Sequence, residues 1–379
     1  MDFSLTREQS MLRDEIIRFA RQELNAGAAE RDREQVFSKD LWRKCGEMGI
    51  QGLPVPEEDG GPGLDPLSTA LALEAFGYGC RDGGLVFSVC AHLLACVVPV
   101  WKYGSAEMKA KYLAGMCNGT LIAVNGMTEP SSGSDAFTMT TRAEPDGDGF
   151  RITGTKIMSS NAPVAHVAVV YAMNAAPKGG ITGFLVEMNT PGVSCSQTFE
   201  KMGLRSSLLG EVVLDNVYVS ASAVIGRPGA GAVMFNQSME WERICIAAAH
   251  IGTLQHLLET AIQYARTRKS AGKAIGKYQA VSHKIADMKI GLETARLLTY
   301  KAAARLDKAR DIGMDASMAK VYVSETLVRA ALDTVQVFGG YGFLTEYEVE
   351  RILRDSVGST LYSGANEVQR NIIASWLGL

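Results

Sequence analysis

The apolar and polar positions change rhythm twice along this chain. Residues 1–120 carry the 3.6-residue period of amphipathic helices. Thr6 to Gln9, read as T-R-E-Q, predicts a capping box ahead of an apolar run that ends near Leu24. "SKDLWRKCGEMGI" predicts a second helix. Residues 57–66 predict a loop, and 66–101 a helical pair around "GYGCRDGG". After Thr120 the period falls towards two. "DGDGFRITGTKIMSS" predicts a hairpin, and "HVAVVYAM", "ITGFLVEM" and "EVVLDNVYV" predict short strands. From about Met234 the helical period returns over 234–268, 278–308, 315–338 and 366 to the end. Long helices with short connections predict an antiparallel bundle. The expected chain is mostly α with a central β domain: a helical domain over 1–120, a β domain over 121–230 and a helical bundle over 231–379.

Composition changes this picture little. A chain of 379 residues supports two or three domains. The net charge of −3 gives no footprint for nucleic acid. Seven cysteines are scattered, odd in number and without a CxxC pair, which argues against a disulfide framework or a metal site. The expectation is a reducing, cytoplasmic setting, and the charged N-terminus shows no export signal. Residues 84–101 carry no formal charge over 18 positions, the lower limit for a membrane span. Ser88, His92 and Pro99 interrupt the run, and a buried core helix is the reading adopted.

Four stretches could carry chemistry. "MTEPSSGSD" (127–135) can present hydroxyls and backbone N–H groups to an anion or a polar ring edge, or be a surface turn. "ARTRKSAGKAIGKYQ" (265–279) holds five cations and no acid, which suits phosphate or a solvated face. "QVFGGYGF" (336–343) reads as a helix end whose glycines allow close approach of a flat ligand. On a helical wheel Phe235, Met239, Glu242, Ile246 and Ala249 share one stripe. The carboxylate among them is either a paired core acid or a functional one. Arg243 and Glu240 lie elsewhere on the wheel at i, i+3 spacing, where they can pair. The histidines read as satisfied structural residues.

Taken in order, "MTEPSSGSD", "RTRKSAGKAIGKYQ", "QVFGGYGF" and "YSGANEVQ" resemble the acyl-CoA dehydrogenase family over nearly the whole chain. The resemblance implies a helical N-terminal domain, a middle β-barrel-like domain and a C-terminal four-helix bundle, assembled as a homotetramer around FAD. It places Thr128, Gly133 and Ser134, as cofactor-binding residues, against the flavin ring or the substrate's thioester tail, and Ser160 beside the ring. Arg268 and Gln279, with Gln336 and Gly340, would serve the pyrophosphate and adenine side of a neighbouring subunit's cofactor. Ser363, Gly364 and Arg243 fall in the substrate site. Met158, Ala271 and Ala365 stand where the family often has tryptophan, phenylalanine and threonine, so contacts to FAD are lost there.

Ser363 departs most. Most members hold the catalytic glutamate at that site, and a minority place it on an earlier helix, at a position that Glu242 in "MEWERIC" matches. The resemblance then implies that Glu242 removes the α-proton of an acyl thioester while hydride passes from the β-carbon to flavin. Ser363 would contribute its backbone N–H to the thioester oxygen. Residues 79–105 look like the prolyl-carrier-protein dehydrogenases, whose substrate is an aminoacyl group on an acyl or peptidyl carrier protein. The alternative is a short branched acyl-CoA thioester. A flavin monooxygenase of the same fold and a cofactor-free scaffold are the remaining readings, and the electron acceptor stays open.

Overall fold

The computed structural model describes residues 4–175, 179–309 and 311–379. Helix α1 (Arg7–Glu23) opens with the expected box: Gln9 N donates to Thr6 Oγ1 at 3.2 Å, and Thr6 N to Gln9 Oε1 at 3.1 Å. Next come α2 (Ala28–Glu34), α3 (Lys39–Glu47), α4 (Pro66–Gly79), α5 (Gly83–Tyr103, with a π turn at Leu93–Val97) and α6 (residues 106–117). The short α2 has no counterpart in the sequence reading. It starts after Gly27 and stops at Gln35, both left-handed, so its seven residues are bounded by turns rather than by an apolar period. Helix α5 is long and apolar enough to cross a membrane, but 83% of its most apolar window is buried inside the protein.

The middle of the chain is one sheet. Its strands are β1 (Ala123–Gly126), β2 (Arg142–Asp146), β3 (Gly149–Ser160), β4 (Val167–Asn174), β5 (Gly180–Glu187), β6 (Val193–Cys195), β7 (Leu209–Ser220) and β8 (Val224–Ile225). The order is β6-β7-β3-β2-β4-β5-β8, and β1 also joins β4. The predicted hairpin is β2–β3, closing where Asp146 pairs with Gly149. Val170, Phe184, Val212, Leu214 and Val217 fill its interior.

Helix α7 (Gly231–Thr267) follows, 37 residues and about 55 Å long. Its first half shares a core with α1 and α3–α6, and its second half shares another with α8 (Gln279–Arg305) and α9 (Ile312–Phe338). It crosses α4 at near backbone contact. A Cβ on Gly77 would lie 2.0 Å from the Ala249 carbonyl oxygen, and one on Gly252 2.1 Å from that of Glu74. Helices α10 (Val349–Gly358) and α11 (Asn366–Trp376) complete the chain against α9. The sequence reading had no helix at α10, ten residues long. Glu348 precedes it in a left-handed turn.

Candidate active site

The apolar stripe of α7 turns inward. Met239, Ile246 and Ala249 are buried, and Glu242 between them is 8% exposed. Opposite lies the loop between α10 and α11, where Ser363 and Gly364 are left-handed (φ +57° and +85°). Ser363 Oγ donates to Glu242 Oε1 at 2.5 Å. The Ser363 carbonyl accepts from Arg243 Nε at 3.1 Å and Gln369 Nε2 at 3.3 Å, and Gln369 also reaches the Gly364 carbonyl at 3.0 Å. Arg243 is therefore drawn across to this loop rather than into an ion pair with Glu240. Helix α7 and the terminal loop are pinned together by one acid and one arginine, and Gln369 of α11 holds the loop from its other end.

Burial raises the Glu242 carboxyl above its ordinary range, against the opposing effects of the Ser363 hydrogen bond, then Arg243 and Lys320. Burial also brings Lys320 of α9 down to about 8; its Nζ donates to Asn366 Oδ1 at 2.7 Å. Cys90 and Cys96 of α5, Tyr171 of β4 and Tyr362 are raised chiefly by burial, and the Glu242 charge adds to the shift of each. Tyr362 shares a 2.7 Å hydrogen bond with His250 Nε2 and packs 4.5 Å from Phe87. His250 is thus a satisfied, half-buried histidine, held neutral as desolvation lowers it to about 4. A desolvated carboxylate with a hydroxyl on one oxygen is suited to accept a proton nearer neutrality than a free acid.

The 127–135 loop is anchored from below. Glu129 meets Lys156 at 2.7 Å, both side chains fully buried. It also accepts from Thr140 N at 2.5 Å and Thr141 N at 3.0 Å. Burial alone would raise this carboxyl; the hydrogen bonds from Lys156, Thr140 and Thr141 instead hold it at about 2. The Thr128 carbonyl accepts from Ile157 N at 2.9 Å, tying the loop to β3. Above the anchor, Gly133 and Ser134 are exposed, and nothing lies within 4 Å of a Cβ built on Gly133. Ser132 Oγ and Ser159 Oγ are buried without a protein partner. Ser160, half-buried, ends β3 just past a register shift, where Met158 is left-handed and 60% exposed. Orphaned hydroxyls beside an open glycine fit a polar, flat ligand such as a flavin.

Arg268, Gln279, Gln336 and Gly340 gather elsewhere, at the far end of the bundle. The Arg268 guanidinium lies 5.1 Å over the Tyr341 ring, and Tyr264 stacks on Phe338 at 3.9 Å. Gln279 opens α8 and Gln336 lies in the last turn of α9, both exposed. A Cβ on Gly340 would meet nothing within 4 Å. Along α7 this end lies 26 residues from Glu242, about 39 Å.

Comparison with known proteins identifies the family. The N-terminal, middle and C-terminal domains of acyl-CoA dehydrogenase match residues 6–120, 125–217 and 229–378. This chain belongs to the acyl-CoA dehydrogenase family. Among family members, the L-prolyl-[peptidyl-carrier protein] dehydrogenase of Serratia sp. (strain ATCC 39006) is 41% identical, over 100% of this chain and 99% of its own. The structure of PigA with FAD and proline superposes with a TM-score of 0.97 at 40% identity, covering both chains fully. The prolyl acyl carrier protein oxidase AnaB gives 0.96 at 42% identity, over 99% of this chain and 100% of its own.

The Glu129–Lys156 pair escaped the sequence reading, although a signal was present. Lys156 falls on the same alternate positions of β3 as buried Ile152, a charge on an inward face. The Ser363–Glu242 bond left no such trace, because its partners are 121 residues apart.

Proposed function

We propose that this protein is an FAD-dependent dehydrogenase of a prolyl or similar aminoacyl thioester carried on an acyl or peptidyl carrier protein. The observation that carries the reading is the buried Glu242 carboxylate, hydrogen-bonded to Ser363 on the terminal loop. Glu242 is the base that takes the α-proton. The N–H of Ser363 finds no acceptor among the described residues and donates to the thioester oxygen as enolate charge develops there. Arg243 and Gln369 keep that N–H in place by holding the neighbouring carbonyls. Thr128, Gly133, Ser134 and Ser160 hold the flavin ring, and FAD when bound accepts the two electrons leaving the β-carbon. Relatives named for prolyl carrier proteins, similar end to end, support the carrier-bound substrate.

Arg268, Gln279, Gln336 and Gly340 serve the cofactor of a neighbouring subunit. A span of about 39 Å from Glu242 exceeds the ~30 Å diameter of a small domain. Ile290, Leu297 and Phe343, exposed by 63%, 54% and 85% on the bundle, support a homotetramer. The setting is the cytoplasm, in keeping with free cysteines throughout.

The test is intact-mass analysis of carrier proteins loaded with prolyl or other acyl groups after incubation with the FAD-loaded enzyme. Each oxidation removes the mass of two hydrogens. The prolyl carrier should be favoured over a short acyl-CoA by about tenfold in kcat/KM, equivalent to about 1.4 kcal/mol. Equal or faster turnover of the acyl-CoA assigns the alternative substrate.

A further inference from the structure

An α-aminoacyl thioester carries nitrogen on the same carbon that loses its proton. Resting on Glu242 as base and an aminoacyl substrate, we propose that Ser363 is the residue that reads this nitrogen. Its hydroxyl donates to Glu242 and accepts from the substrate N–H, so recognition of the amine and removal of the α-proton occur at one point.

Three features lead here. The first is position. A base that removes an α-proton must point an oxygen at Cα–H, and Ser363 Oγ lies 2.5 Å from Glu242 Oε1. An oxygen so close to the base sits beside the other substituents of Cα, one bond from the nitrogen. The second is valence. A hydroxyl has one proton to give and two lone pairs to fill. Glu242 takes the proton, and no donor among the described residues reaches the lone pairs. A secondary amine brings an N–H in either protonation state. The third is rigidity. Ser363 is left-handed, its carbonyl is held by Arg243 and Gln369, and a Cβ on Gly364 would come 2.4 Å from Gln369 Nε2. The hydroxyl is thus aimed before substrate arrives. The charged side chains nearest Glu242, Arg243 and Lys320, are donors and cannot accept from an amine. A plain acyl group presents C–H at this point and leaves the acceptor unpaired, the kind of mismatch by which sites reject analogues.

The experiment compares two carrier-bound thioesters: prolyl, and cyclopentanecarbonyl, in which CH₂ replaces NH. Flavin reduction is followed by stopped flow with the FAD-loaded wild type, Ser363→Ala and Ser363→Gly. Loss of the hydroxyl also disturbs Glu242, but that disturbance is common to both substrates and cancels in their ratio. Wild type should favour prolyl by about tenfold or more, and both variants should bring the ratio to within about twofold. The glycine variant keeps the test open if alanine misfolds, since glycine is at ease at positive φ. A wild-type preference that survives both substitutions overturns the proposal, as does a wild type that oxidises both thioesters equally. In either case the aminoacyl-dehydrogenase reading stands. Failure to oxidise either thioester removes that reading, and this proposal with it.

Discussion

Replacing Glu242 with glutamine isolates the property on which the mechanism turns. Glutamine has the same shape, and its Oε1 can still accept the Ser363 hydroxyl now held at 2.5 Å. Only basicity is lost. The expected cost is therefore the full general-base contribution, 10²- to 10⁴-fold in the rate of flavin reduction, or about 2.7–5.4 kcal/mol of barrier. Stability should not fall. Burial raises the folded-state pKa of Glu242, so its contribution to stability is fully present only below the unfolded pKa and is lost as pH rises through the folded one. A neutral side chain at neutral pH leaves the melting temperature unchanged or higher. Glu242→Asp retracts the carboxylate by about 1.5 Å and, by misplacement alone, should cost about 10². The assay is single-turnover bleaching of the flavin with prolyl carrier protein, alongside a melting curve and the flavin spectrum. In wild type the rate should rise with pH across a limb above 4.5, the ordinary carboxylate value, because the base must be ionised. Near-wild-type flavin reduction by a folded, yellow Glu242→Gln refutes the reasoning and leaves Glu242 a paired core acid.

The buried Glu129–Lys156 pair should resist removal of either partner: Lys156→Met strands a carboxylate and should cost about 3–5 kcal/mol in denaturant unfolding. Glu129→Gln should also lower FAD retention on gel filtration if the 127–135 loop holds the flavin, because Thr140 and Thr141 lose the carboxylate that anchors that loop. Arg268→Ala should lower FAD occupancy without touching Glu242, and light scattering of the wild type should give a tetramer; a monomer holding stoichiometric FAD contradicts the cross-subunit role. Gly252→Ala should destabilise by about 1–3 kcal/mol in thermal unfolding, since its Cβ would meet the Glu74 carbonyl at 2.1 Å.

Much of this protein is local and could be read locally. Helix α1 begins at its capping box because Thr6 and Gln9 satisfy each other's backbone N–H groups within four residues. The β2–β3 hairpin and the three long helices announce themselves by periods of two and 3.6, since burying one face imposes those periods on each segment. Glu242 stood out for the same reason, as a charge on an apolar stripe. The short helices α2 and α10 did not: α2 is bounded by a left-handed residue at each end, and α10 starts from the left-handed Glu348.

Pairings between distant segments had to wait for the fold. Spacing matched Arg243 with Glu240 one turn away; packing of α7 against the terminal loop carried it to the Ser363 carbonyl. Ser363 looked like a base replaced by an inert hydroxyl, and the fold made it the hydrogen-bond partner of Glu242. Sequence distance says nothing about such a contact, because one residue of loop register or one turn of helix rotation would abolish it. The amino-acid pattern by itself decided which of the longer segments are helix or strand and which acid was out of place. Only the tertiary structure decided what that acid touches, since a 2.5 Å bond across 121 residues exists only once the helices between them are packed.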